Sequence, residues 1–85
     1  MRDIYIVIAD DRHSDTEATP FTDEREAVAF AEQEVRDGAR HPELIEPGDR
    51  ELTEGMVKSG WVWRCRYGIE GDSVRVVRRG LRGTE

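Results

Sequence analysis

Cysteine, lysine and long apolar runs are all scarce in this chain. Cys65 is the single cysteine of 85 residues, so an intrachain disulfide and a zinc site built on several cysteines are both excluded. Lys58 is the single lysine, and arginine carries the remaining positive charge. The longest apolar run, Ile4–Ala9, is six residues, against the roughly 20 that a membrane-spanning helix needs. It is also too short for the core of a secretory signal and has no small-residue cleavage site behind it, which reads as a cytoplasmic chain. No nucleotide-binding glycine pattern is present. Gly68-x-x-Gly71-Asp72 joins two strand-like runs, so it lacks the helix N-terminus that would hold a phosphate. No cofactor is called for.

What is present is polar and unevenly charged. Charged residues make up 38% and hydrophobic residues 36% of the chain, more polar than an average domain. A chain of this length hides only about 60–65% of its extended surface, so one domain with a thin core is expected. We place that domain at residues 1–79 and expect a flexible tail over 80–85. The net charge of −6 is split: residues 1–57 hold six arginines and sixteen carboxylates, whereas residues 58–85 hold seven cations and three carboxylates. The plain reading is that the halves neutralise each other when packed. The sharper one is a two-faced surface that meets a charged partner.

Ile4–Ala9 is apolar on both alternating faces, as a central strand covered on both sides would be. Asp10-Asp11-Arg12-His13 offers turn chemistry, and His13–Thr19 reads as a second, edge strand ending near Pro20. Thr22 is a suitable N-cap. Behind it, Ala27, Val28, Phe30, Ala31 and Val35 fall on one face at helical spacing, which predicts a helix over Asp23–Asp37 stopped by Gly38. Pro42, Pro47 and Gly48 mark a surface loop. A short helix from an Asp49 cap through Lys58, ended by Gly60, is expected to turn Leu52, Met56 and Val57 inward.

Trp61–Tyr67 alternates with period two and Ser73–Arg79 answers it. Setting Tyr67 opposite Asp72 brings Cys65 to Val74 and Trp63 to Val76. Trp61, Trp63, Cys65, Val74 and Val76 then share one face, and Val62, Arg64, Arg66, Arg75 and Val77 the other. A slip of one residue would mix arginines with tryptophans on both faces, which burial disfavours. The expected fold is α+β: a small antiparallel four-stranded sheet, ββα(α)ββ, with one long helix on one face. The helix is expected to pack against Ile4, Ile6 or Ile8 and the Trp63 face, although the first strand's parity is open.

No catalytic constellation emerges. His13 stands among Asp10, Asp11 and Asp15, but the spacing matches no metal motif, and solvated charge at a hairpin tip is the simpler reading. His41 is a loop residue before Pro42. Cys65 lies between two arginines, which would lower a thiol pKa. Alternation turns its side chain away from both, however, and no base is placed beside it. The reading is therefore non-enzymatic, with no catalytic, cofactor or metal residue. The arginine-rich hairpin resembles a single-strand nucleic-acid surface, but rings and guanidinium groups are expected on opposite faces and the overall charge repels a polyanion. Nucleic acid is thus not the expected partner.

Gly60-Trp61-x-Trp63, then Tyr67-x-x-Glu70-Gly71-Asp72-Ser73-Val74-x-Val76-Val77, resembles short, functionally uncharacterised proteins of actinobacteria and their phages. Ile4–Asp11 and Pro20-Phe21-Thr22-Asp23 before an alanine-rich helix add to the likeness. The resemblance covers about half the chain and transfers no functional residue. A phage or mobile-element setting would favour counter-defence or host-protein binding, by association alone.

The leading expectation is a small protein-binding accessory module, a homodimer, with Arg64, Arg66, Arg75, Val62 and Val77 as its binding surface. One alternative is an acidic charge mimic that inhibits a nucleic-acid-binding partner through Glu24, Glu32, Glu34 and Asp37 of the long helix, with Asp10, Asp11 and Asp15 nearby in sequence. The other is a nucleic-acid binder using the arginine hairpin. Self-association is expected because one helix covers only one side of a four-stranded sheet. The other face needs either the segment Leu44–Val57 or a second copy.

Overall fold

A computed structural model of the chain describes residues 2–10, 16–68 and 72–81. Four strands, β1 (Arg2–Asp10), β2 (Glu17–Phe21), β3 (Trp61–Tyr67) and β4 (Asp72–Leu81), form one antiparallel sheet in the order β2-β1-β4-β3. The helix α1 (Glu24–Gly38) follows β2, and the short helix α2 (Glu54–Lys58) precedes β3. The α+β class and the pair of hairpins are those expected.

The core lies between α1 and one sheet face. Val7, Val74, Val76, Cys65 and Tyr67 from the sheet meet Ala27, Ala31 and Val35 from the helix, all buried. Two fully buried alanines let the helix backbone approach the sheet closely, at the cost of few methylenes removed from water. Phe21 and Phe30 extend the core at one end, with ring centroids 5.2 Å apart. The strand parity differs from the residues singled out for this contact. Tyr5, Val7 and Ala9 face α1, and Ile4, Ile6 and Ile8 take the opposite face. Both sets are apolar, so only the pairing with Val74 and Val76 decides between them.

Several boundaries differ by small amounts. Asp23, and not Thr22, caps α1, its carboxylate accepting from the Arg25 backbone N–H at 2.8 Å. β2 ends at Phe21 and carries Pro20 within it, where the missing N–H faces outward from an edge strand. The expected helix from Asp49 to Lys58 divides into a 3₁₀ turn, Pro47–Arg50, and α2, which is capped by Thr53 through the Met56 N–H. Asp49 is drawn off that role because its carboxylate accepts from the Glu46 N–H and from Arg66. Val57 consequently stands outside, 56% exposed, while Leu52 and Met56 are half-buried. β4 runs on through Gly80 and Leu81, paired with Asp3 and Arg2, two residues into the stretch read as tail. The remainder of that tail, 82–85, lies outside the described residues, as do His13 and its neighbours 11–15.

The hairpin β3–β4 adopts the expected register at Tyr67↔Asp72, Cys65↔Val74 and Trp63↔Val76, then breaks it. A bulge between Trp61 and Trp63 leaves Val62 unpaired and sets Trp61 opposite Val77. One extra residue reverses the face of everything beyond it. Trp61 therefore stands with Val77 and Arg75, away from Trp63. Gly60 begins this feature at φ 93°, and a Cβ there would lie 2.7 Å from the Arg78 carbonyl oxygen.

Candidate functional site

The sheet face away from α1 is the one surface where the sequence's proposed binding residues gather. Cross-strand pairing orders it into rows. The central row runs Pro20, Ile6, Val77, Trp61 across all four strands and is wholly apolar. On one side of it lie Ala18, Ile8, Arg75 and Arg64, and on the other Ile4 and Arg79. The face is thus divided along its length. Its β2–β1 half is aliphatic and its β4–β3 half carries arginines around a tryptophan.

Each arginine is positioned by a separate device. Arg64 and Arg75 are directly opposed across β3 and β4, a repulsive pairing unless the two heads diverge. They do diverge. Arg75 reaches to Asp10 on the neighbouring strand β1 at 3.1 Å and lies over the Trp61 ring, 5.1 Å from its centroid. Arg64 turns outward to the loop, donating to the backbone carbonyls of Glu51 and, at 2.9 Å, Gly48. Arg66 pairs with Asp49 at 3.2 Å. Arg79 donates to the carbonyls of Ser59 at 2.7 Å and Arg78 at 3.1 Å. Among the described residues, Arg64 and Arg79 therefore have hydrogen-bond partners but no carboxylate in ion-pair contact, although Asp49 lies near enough to Arg64 to feel its charge.

The carboxylates respond accordingly. Asp10 is held below its ordinary pKa, first by the Thr16 hydroxyl at 2.7 Å and then by Arg75. Asp49 is lowered by the Glu46 N–H and, secondarily, by Arg66. These bonds also fix the 3₁₀ turn Pro47–Arg50 along β3, where Arg50 lies 5.7 Å above the Trp63 ring. The loop between α1 and β3 is in this way pinned to the edge strand, and α2 also packs on β3. Among the described residues, no element packs over Ile4, Ile6 and Ile8 as α1 packs over Val7.

Of the five residues proposed from sequence, Arg64, Arg66, Arg75 and Val77 share this face. Val62, the unpaired bulge residue, is half-buried and packs against the core. Val77 is only 2% exposed although no helix lies over it. It is enclosed by longer neighbours, Ile6 and Trp61 in its row and Arg75 and Arg79 along its strand. Trp61 and the isoleucines belong to the face and were assigned elsewhere or left open by alternation. Asp10, 65 residues from Arg75 in sequence, gave no local signal of that pairing.

Other candidates sit apart. Cys65 is fully buried, and burial raises its thiol pKa above the ordinary value. His41 pairs with Glu43 at 3.2 Å on an exposed turn. No group of three or more potential metal ligands converges among the described residues. No helix among them is long and apolar enough to cross a membrane. The one architecture the geometry defines is a four-stranded antiparallel sheet, helix-covered on one side, with a divided apolar and arginine face on the other. No protein-family model, curated protein or solved structure matches the chain.

Proposed function

We propose that this chain is a small, non-enzymatic protein-binding accessory module of the cytoplasm, homodimeric, and that it docks through the helix-free sheet face. The observation that carries the reading is the apolar row Pro20–Ile6–Val77–Trp61, over which no helix or loop packs among the described residues and in which only Val77 is enclosed by its neighbours. Ile4, Ile6, Ile8 and Trp61 are each half-buried and Ala18 and Pro20 exposed, apolar surface of the kind that marks interaction sites when it has no partner. Neither sheet edge offers a comparable surface. β2 is five residues long and contains Pro20, and β3 is bulged and flanked by the 3₁₀ turn, both familiar ways of blunting an edge.

The bulge also favours a second reading. By moving Trp61 among Arg64, Arg75 and Arg79, it creates a ring-and-guanidinium surface of the type that stacks on single-stranded nucleic acid. Against that, one face of the Trp61 ring is already occupied by Arg75, Arg66 and Arg75 hold carboxylates, and the chain carries −6 overall.

The test compares variants on opposite surfaces. Ala18→Lys places a charge on the exposed aliphatic half of the docking face, and Glu34→Lys alters α1. Binding to self or to a host protein that is lost in the first and kept in the second supports docking through the sheet. The reverse pattern transfers the function to the acidic helix and the charge-mimic reading. A salt-sensitive shift of DNA or RNA that requires Arg64 and Arg75 establishes the nucleic-acid reading instead.

A further inference from the structure

If the face docks as proposed above, the distribution of charge on it decides how two copies would meet. We infer that the face pairs with a second copy of the chain about a two-fold axis running along the strands, between β1 and β4.

An isologous interface sets each position against its image through the axis. An axis along the strands keeps the rows in register and exchanges the halves. Pro20, Ile6, Val77 and Trp61 of one copy then face Trp61, Val77, Ile6 and Pro20 of the other. The apolar row is its own complement. In the neighbouring row, Ala18 and Ile8 lie beneath the other copy's Arg64 and Arg75, whose stems can cover aliphatic surface while their heads stay hydrated. An axis across the strands would also lay the central row on itself. It would, however, stack arginine half on arginine half, setting Arg79, which has no carboxylate partner among the described residues, against the other copy's Arg75. Among face-to-face two-fold arrangements, the segregation of charge therefore selects the exchange of halves.

The end of the aliphatic half supplies a counter-charge. Ile4, Pro20, Phe21, Thr22 and Glu26 line an open groove of about 350 Å³. Ile4 is the cross-strand partner of Arg79, so exchange brings the second copy's Arg79 over Ile4, beside the Glu26 carboxylate. The arrangement thus meets Arg79, without a carboxylate partner among the described residues, with the exposed Glu26, twice per dimer. Its footprint is modest. Four strands about 4.8 Å apart and about seven residues long cover about 450 Å², against the roughly 800 Å² per partner of a standard interface. A micromolar, reversible dimer is the expected strength.

Sedimentation equilibrium of the full chain tests the occupant, and cysteine pairing tests the axis. The wild type is expected to shift from 9.8 kDa toward twice that mass between about 1 and 200 µM. Ala18→Lys should remain monomeric with an unchanged circular dichroism spectrum. Arg79→Glu and Glu26→Arg should each weaken the dimer about tenfold, and together restore most of it. In a Cys65→Ala background, Ala18→Cys mixed with Arg64→Cys should cross-link, and neither should do so alone. A wild type that stays monomeric throughout overturns the second copy as occupant, while docking of another protein through the same face is judged by the Ala18→Lys and Glu34→Lys comparison. A dimer lost in Ala18→Lys but cross-linking through Ala18→Cys alone retains the face and overturns the axis. A dimer indifferent to Ala18→Lys overturns both.

Discussion

The guanidinium carbon of Arg75 lies 5.1 Å from the centroid of the Trp61 ring, two residues that strict alternation would put on opposite faces of the sheet. The bulge at Val62 brings them together, and the same guanidinium holds Asp10 at 3.1 Å. Stability should register both contacts. Arg75→Ala is expected to lower the unfolding free energy by about 1 kcal/mol, combining a partly exposed cation–π contact with an exposed ion pair. Arg75→Lys should recover part of that loss, since a lysine keeps the charge without the planar fork. Urea midpoints at constant m-value measure the series. Equal stability of all three proteins would remove Arg75 from the account of this face.

Gly60 should not tolerate a side chain. Its φ of 93° is strained for any L residue, and the added Cβ would press against backbone, the Arg78 carbonyl at 2.7 Å. Gly60→Ala is therefore expected to cost about 1–3 kcal/mol. Gly48→Ala meets nothing within 4 Å and serves as the control, with thermal melts of both as the readout.

Cys65 should behave as a core residue. It is fully buried among Val74, Val76 and the helix alanines, and its raised thiol pKa follows first from burial. An aromatic disulfide reagent is expected to leave the native thiol unmodified and to react fully in denaturant. Cys65→Ser should destabilise by about 1–3 kcal/mol, because a hydroxyl is placed in an apolar cluster. Rapid labelling of the native protein at neutral pH would contradict the burial.

Acid should weaken the protein through Asp10. The Thr16 hydroxyl and Arg75 lower its folded pKa below the unfolded value, so its contribution is complete above about pH 4 and disappears as pH falls through the folded value. The half-exposed position keeps the effect small. Asp10→Asn should be slightly less stable than wild type at pH 7 and converge with it once the pH has fallen below the lowered folded value. A parallel offset across the whole range would show that the carboxylate's charge is irrelevant.

Much of the fold was written in local pattern. The helical spacing of Ala27, Ala31 and Val35 names the face of α1 that is buried, and the alternation from Trp63 to Tyr67 predicts the register with β4 up to the bulge. These are short-range signals, where burial of one face leaves a single consistent choice. The charge split between the halves and the arginines of the second hairpin were legible in the same way.

The contents of the helix-free face were not. Ile4, Ile6 and Ile8 compete with Tyr5 and Val7 for the core on equal terms, and pairing with β4, some seventy residues along the chain, decides the outcome. Trp61 changed faces because one residue, Val62, is left out of the ladder, which no alternating pattern can announce. Asp10 became the partner of Arg75 through sheet order alone. By itself the sequence determined an α+β chain with one long helix, a readable hairpin and charge divided between its halves, because each of these depends on spacing along a few neighbouring residues. Which isoleucines look outward, which tryptophan joins the arginines and where those arginines point were decided only in the tertiary structure, because each depends on which distant backbone a strand pairs with.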